Sequence, residues 1–574
     1  MTEATRTVRG VRTLARLYPV SVDSSPELED SLSFLESPLS AETVVRAGYG
    51  AGILSIVPLL ALFVTPVPTF AVPLVVLAVA LGTIHTVHAW PHALAAIRRT
   101  EALGETPTLI GRAVLRMQIQ PSTETAVRFA ADAGADPLSR SLRGHVARAA
   151  GTPRSGLLSF AEEWTAWFPA IRRSSYLLAM AQDAPDGERS RTLDRALEAI
   201  LERTREQMAA FTSTIRGPAT GLYAFGVLLP LALVALVPAA ALVGYAISIW
   251  VFVALYNVVL PIALVGASVW LLARRPVAFP PPAVSRDHPD VPDRIWLRAS
   301  WGLAAGAVAF VLTAAFGPGF LAPVAGGGVG VGVSLLGIYH PIIAARNHVR
   351  AVEQHLVDAL YLVGRRVTEG EAVEAAVALA ADRIPAETGT VFADAAGVQR
   401  RLHVDIEEAF LGRYGALRDV PSPRARGMAR LLAIAAAEGR PAGHAIVAMA
   451  DHLEDLQDVE RETRRQLAMV TGTLEHTASF FGPLIGGSTV ALAGLMSEHV
   501  VADDGMSGAM LPVDQLGLVV GLYVLTLCLI LTPLSLALRH GLDRAVIGYY
   551  VGRSLVFSTP IFVVTVWLIG VVIG

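Results

Sequence analysis

Nine stretches of apolar residues, each long enough to cross a bilayer, dictate what this chain of 574 residues can become. A transmembrane helix needs about 20 such residues. The nine run over about 47–65, 69–90, 219–239, 245–273, 299–317, 323–345, 477–496, 515–538 and 554–573. Several contain proline (Pro58, Pro73, Pro230, Pro261, Pro483, Pro533 and Pro560). Neighbouring helices tolerate proline inside a membrane by satisfying the backbone groups that it frees. A hydrophobic content of 53% with only 17% charge points away from a soluble enzyme.

The cations give an expected orientation. All 46 positive side chains are arginine, and none falls in the connections 65–69, 238–247, 317–323 and 497–514. Arginine-bearing loops stay on the cytoplasmic face, so these four connections are expected outside. The N-terminus is then cytoplasmic and the C-terminus extracellular, in a multi-pass protein of the cell membrane. The stretch 1–48 is polar and carries no signal-peptide pattern.

The expected fold is an all-α integral membrane protein with about nine transmembrane helices and two duplicated cytoplasmic helical-bundle domains. Its order is a cytoplasmic segment over 1–46, a hairpin of two spans over 47–90 and a first helical domain over 91–216. Four spans follow over 217–345, then a second helical domain over 346–476 and three spans over 477–574. The first domain holds 17 arginines against 14 acids, the second 16 against 20. Within them, 188–211 sets Leu193, Leu197, Ile200, Leu201, Thr204, Met208 and Phe211 at helical spacing, with charges opposite. The stretch 442–469 does the same with Ile446, Ala450, Leu453, Leu456 and Leu467. The connector 274–298, rich in Pro and Asp, is expected to be a loop.

The two domains repeat one another. A Leu-Leu-Ala segment (177–179, then 431–433) precedes an acid, a Pro/Gly turn, a long charged helix and a Phe-Gly pair inside a span (225–226, then 481–482). Matching positions lie about 254–256 residues apart, the signature of a repeated unit.

Composition removes several chemistries. Without lysine there is no Walker A phosphate loop and no Schiff base. The single Cys528 forms no intrachain disulfide and no cysteine metal site. A net charge of −3 offers no footprint for nucleic acid. No acid or arginine lies deep in any span, which argues against a proton- or ion-coupled transporter. No catalytic motif, cofactor site or enzyme activity is expected.

Three groups of residues remain. His85, His88 and His92 share one helical face, but Pro91 is expected to break the helix before His92, leaving an interfacial polar cluster rather than a metal site. Gly328 and Gly332 form a G-x-x-x-G face, repeated by Gly482 and Gly486, that lets helices approach closely. Arg172 and Arg173, Arg424, Arg426 and Arg430, and Asp543 and Arg544 in the loop after the eighth span are the clustered cytoplasmic charges. Anionic lipid is one partner for such arginines; their occurrence in both domains favours a protein partner.

The order of domains, the run 120–126 leading into a second helix, the span 224–230 and the terminal series 531–554 together resemble the type II secretion F-domain family. The likeness is to its archaeal branch, which holds the PilC-type pilus platforms and the archaellum platform ArlJ. It covers nearly the whole chain from about Val44 onward. The resemblance implies a non-enzymatic platform for a type IV pilus-like machine. A hexameric secretion ATPase would dock on the cytoplasmic domains, and pilin or archaellin subunits would meet the spans. A homodimer is expected. The docking residues would come from the clustered charges, with Arg172, Arg173, Arg424, Arg426, Arg430, Asp543 and Arg544 the candidates.

Overall fold

A computed structural model describes residues 3–23, 25–59, 71–134, 136–151, 155–237, 248–276, 284, 288–289, 291–292, 295–438, 442–504 and 513–573. Among them every regular element is helical. Seven helices are long and apolar enough to cross a membrane, the makeup of a multi-pass membrane protein. All seven coincide with apolar stretches expected from the sequence. The other two, 47–65 and 69–90, run through residues 60–70, outside the described residues, as do most of the connections at 65–69, 238–247 and 497–514.

The chain divides into two compact units. The first, residues 1–100 with 269–275, contains α1 (Glu3–Ala15), α2 (Pro26–Phe34), α3 (Ala41–Leu59) and most of α4 (Ala71–Gly104). A small core of Leu28, Leu32, Ala41 and Val44 joins α2 to α3. Helix α4 runs without interruption through Pro91, which corrects the expected break. Proline removes one hydrogen bond and strains one turn, a cost of about 3 kcal/mol; the helix absorbs it here. His92 therefore stays on the helix, where its Nδ1 sits 3.0 Å from the Ser31 hydroxyl.

The second unit begins with α5 (Thr106–Ile119), α6 (Thr123–Ala133), α7 (Pro137–Ala149), α8 (Gly156–Trp164) and α9 (Ala170–Ala181). Side chains of Ser122, Asp136 and Ser155 accept the first free N–H groups of α6, α7 and α8. Such caps are worth about 1 kcal/mol each and set where the short helices begin. Then comes α10 (Asp186–Tyr223), which continues through a π turn (Ala224–Leu228) into Leu229–Ala235. Helix α11 follows the same plan: Ile249–Ala254, a π turn at Leu255–Val259, then Leu260–Ala273.

Helices α12 (Ile295–Phe316) and α13 (Leu321–Glu353) form a close antiparallel pair. Since α12 starts at Ile295, the expected loop 274–298 ends earlier than its Pro/Asp composition suggested. Five short helices come next: α14 (Leu356–Thr368), α15 (Val373–Arg383), α16 (Ala386–Leu402), α17 (Ile406–Leu411) and α18 (Pro423–Glu438). Their core is apolar, with Phe392 and Phe410 packed edge to face at 5.5 Å. Helix α19 (Ala442–His476) then passes through a π turn (Thr477–Phe481) into Gly482–Asp504. The last two helices are α20 (Val513–His540) and α21 (Arg544–Ile573). The polar turn expected at 439–441 lies outside the described residues.

Candidate functional site

The two long helices, α10 and α19, pack against each other both before and after their π turns. In each, the polar arm carries five short helices ahead of it, and the apolar part lies beyond the π turn. The cause of the turns is visible in the sequence. All three π turns end two residues before a proline: Pro230, Pro261 and Pro483. Proline has no N–H to offer the preceding turn and its ring presses on that turn's carbonyl. Widening the helix by one residue relieves the clash and leaves backbone carbonyls to be satisfied from outside.

Neighbouring helices supply the donors. The Tyr523 hydroxyl of α20 donates to the Gly226 carbonyl, four residues before Pro230. Tyr256, in the π turn of α11, donates to the Pro230 carbonyl itself. The Cys528 thiol, also on α20, lies 3.1 Å from the Ala478 carbonyl, five residues before Pro483. One helix thus holds both π turns. Tyr523 and Cys528 are fully buried, and Tyr256 meets Tyr523 edge to face at 5.3 Å.

Just below the apolar part of α19 lies a layer of paired charges. Glu475 accepts Arg539 at 3.3 Å and Arg553 at 3.4 Å. Arg539 Nε also donates to Thr471 Oγ1 at 2.5 Å. Arg346, near the end of α13, makes a two-pronged pair with Asp543 at 2.6 and 2.7 Å, and its side chain is only 4% exposed. Asp543 also caps α21 by accepting from the Ala545 and Val546 N–H groups, both at 2.9 Å. Burial alone would raise the Asp543 carboxyl, but Arg346 and these N–H groups hold it below the usual carboxylate range.

A second charged cluster ties α5 to α18 and α19. Arg424 donates to Glu460 and lies 3.6 Å from Glu353. Glu353 in turn accepts the Ser422 hydroxyl at 2.5 Å. Burial works against the Arg424 charge, but Glu460, Glu353 and Glu105 together hold the cation. His452, on the polar arm of α19, fits where Gly111 of α5 has no side chain; a Cβ there would overlap the imidazole ring. Burial, reinforced by Arg112 and Arg424, pushes His452 down to about 4. The imidazole is neutral at pH 7. Burial also raises the Glu105 carboxyl above its ordinary range, with Asp136 adding to it.

On the outer side of this cluster an open cleft is lined by Arg350, Arg424, Arg461 and Arg464 against Glu353 and Glu460. Four guanidiniums facing two carboxylates leave the cleft cationic. It is suited to an acidic surface or a phosphate, since guanidinium matches both geometrically.

The residues expected from sequence fall into two sets. Arg172 and Arg173 on α9, Arg426 on α18 and Arg544 at the start of α21 are exposed, and Arg430 is half-exposed. Arg424 and Asp543 are engaged within the fold, in the ion pairs just described, and Arg424 also lines the cationic cleft. Sequence alone missed their partners, Glu353, Glu460 and Arg346, because those lie 36 to 197 residues away in the chain. Gly328 and Gly332 face α21, against Thr559 and the Gly552 carbonyl. Gly486 faces α20, with Val524 3.0 Å from where its Cβ would be; Gly482 lies over the carbonyl of Thr477 in the π turn. A further close crossing, between Gly302 and Gly306 of α12 and Gly326 and Gly330 of α13, went unread in the sequence.

The histidines take separate partners. His88 Nε2 lies 3.0 Å from the Val45 carbonyl, with its ring edge-on to Tyr49 at 5.4 Å; His92 meets Ser31, and His85 is exposed. Among the described residues no group of three metal-ligating side chains occurs. No known family model, curated protein or solved structure matches the chain.

Proposed function

We propose that this protein is the membrane platform of a type IV pilus-like assembly machine. In this proposal nine helices span the cell membrane and the two sets of helices ahead of α10 and α19 are duplicated cytoplasmic domains. A hexameric secretion ATPase docks beneath them, and apolar pilin or archaellin stems meet the spans. The protein is itself not an enzyme. The observation that carries the proposal is mechanical: two paired helices, α10 and α19, run unbroken from a polar arm into an apolar part, each through a π turn.

A push on either polar arm is transmitted along a continuous helix. The π turn is the point of give, because its backbone ladder is already opened and its free carbonyls are held by side chains. Both turns are held by α20, so motion of one arm is felt by the other through Tyr523 and Cys528. The exposed arginines Arg172, Arg173 and Arg426 and the half-exposed Arg430, with the cationic cleft near Arg461, would face an acidic surface on the ATPase. Charge complementarity of this kind sets association rate and specificity.

The test is co-purification of the full-length protein with its cognate ATPase. Association is expected, and reversal of Arg172, Arg173, Arg426 and Arg430 to Glu is expected to abolish it without loss of folded protein. No association of the native pair, or an unchanged complex after reversal, rejects the proposal. The subunits that co-purify distinguish a pilus from an archaellum.

A further inference from the structure

The open cleft beside Arg424 has a volume of about 470 Å3 and draws its charges from three helices. The end of α13 gives Arg350 and Glu353, α18 gives Arg424, and α19 gives Glu460, Arg461 and Arg464. These charges are unevenly matched. Arg424 holds Glu460 and lies 3.6 Å from Glu353, while Arg464 stands 3.5 Å from Glu460. Arg461 pairs with Asp458 at 2.6 Å. Arg350 reaches only the Asn347 carboxamide, 3.3 Å away and one turn earlier on its own helix; among the described residues no carboxylate pairs with it. With Asp458 included, four guanidiniums face three carboxylates, and the unmatched positive charge lies at Arg350. Burial works against the Arg464 charge, Glu460 supports it, and Arg350 and Arg424 both stand close enough to oppose it. Arg350 and Arg461 are exposed and Arg464 is half-exposed, so these cations are open to a ligand.

We infer that the cleft binds a phosphate group, bridged between Arg350 of α13 and Arg464 of α19, with Arg461 and the Gln354 and Gln457 carboxamides around it. A guanidinium offers a planar fork of donors. A carboxylate has two oxygens and fills one fork; a phosphate presents three or four and takes forks from two helices at once. Glu353 and Glu460 repel such an anion less than their number suggests, because Arg424 and Arg464 lie against them. Arg350 stands five residues past the apolar stretch 323–345, about 8 Å at helical rise, so a phospholipid headgroup and a free phosphate both carry the required chemistry to it. Helices α13 and α19 each belong to a helical run with an apolar, membrane-length segment, and a bridging anion would tie the ends of two spans together. The inference goes beyond the platform proposal and needs neither an ATPase nor a pilin.

The experiment titrates full-length protein in detergent with inorganic phosphate and follows Tm, against potassium chloride at matched ionic strength. A ligand that binds only the folded state raises Tm as it saturates, and that rise is expected with phosphate and not with chloride. Arg350→Gln, at an exposed residue with no carboxylate partner, is expected to keep the native Tm without phosphate and to weaken phosphate binding at least about tenfold, the loss of one charge-assisted hydrogen bond. Arg464→Gln should weaken binding from the other helix, while Arg203→Gln on α10 leaves the response intact. A second arm places the protein in nanodiscs of phosphatidylcholine with or without phosphatidic acid. Stabilisation by free phosphate assigns a soluble ligand; stabilisation by phosphatidic acid alone, lost in Arg350→Gln, assigns a lipid headgroup. No stabilisation by either, or a native response in both Arg350→Gln and Arg464→Gln, overturns the inference.

Discussion

The polar arms of α10 and α19 each follow five short helices, yet they are held by different forces. The α10 arm keeps its charges in water: Arg203 pairs with Glu206 at 3.1 Å and Arg205 with Glu202 at 3.6 Å, all four about half exposed. Its buried face is apolar, with Leu193, Ala196, Ile200 and Met208 inaccessible. The α19 arm buries charge. Glu460 is gripped by Arg424, Glu475 by Arg539 and Arg553, and the buried His452 is held neutral near Arg112 and Arg424. A buried ion pair is satisfied in one geometry only, and breaking it leaves an uncompensated buried charge. Removing a single charge is therefore expected to cost more on the α19 arm than on the α10 arm.

The sharpest way to break that contrast is Arg424→Ala. It removes the nearest cation from Glu460 and the only ion-pair partner described for Glu353, leaving Arg464 3.5 Å from Glu460, and loss of one partner of a buried pair costs up to about 3–5 kcal/mol. Thermal unfolding in detergent should show a fall in Tm far larger than for any charge removed from α10. A fall no larger than that of Arg203→Ala would erase the distinction between the arms.

Acid comes next in size. The His452 pKa is lowered in the folded protein, to about 4 from an ordinary 6.5. Between those values the unfolded chain binds a proton that the folded chain refuses, so stability present above pH 6.5 is lost as pH falls toward 4. The loss reaches at most about 3 kcal/mol at 1.36 kcal/mol per pKa unit. His452→Gln should flatten the pH dependence of Tm in that window, measured against the native protein.

The two π turns offer a finer comparison. Tyr523→Phe leaves the Gly226 carbonyl unsatisfied in a water-free setting and should cost about 1–3 kcal/mol. Cys528→Ala removes a weak sulfur donor at Ala478 and one small buried group, for an expected loss of about 1 kcal/mol. If the cysteine variant is the less stable of the two, the turn of α19 rather than that of α10 depends on α20. The smallest effect is reserved for Arg203→Ala on the first arm. An exposed pair three residues apart is worth about 0.5 kcal/mol or less, and the Tm should scarcely move.

Much of this was legible in one dimension. Seven spans were, because about 20 apolar residues in a row have few other fates, and so were the amphipathic stretches 188–211 and 442–469, which lie inside α10 and α19. Gly328 and Gly332 were legible as a packing face because small residues four apart share one side of a helix. The prolines were not. Pro91, Pro218, Pro341, Pro533 and Pro560 sit inside α-helix, while Pro230, Pro261 and Pro483 are each preceded by a π turn. At Pro230 and Pro483 the difference lies in donors from other helices, Tyr523, Tyr256 and Cys528, that make an opened turn affordable.

The sequence by itself determined where the chain is helical and which lengths of it can enter a membrane. Both properties are periodic or local, and nearest neighbours along the chain suffice to express them. Only the tertiary structure decided which arginines are surface and which are scaffold. Arg424 and Arg426 stand two residues apart on one helix; one is locked to Glu460 and the other is exposed. The fate of a charge depends on what meets it across space, because desolvation must be offset by a partner, and the partners here come from distant turns of the chain.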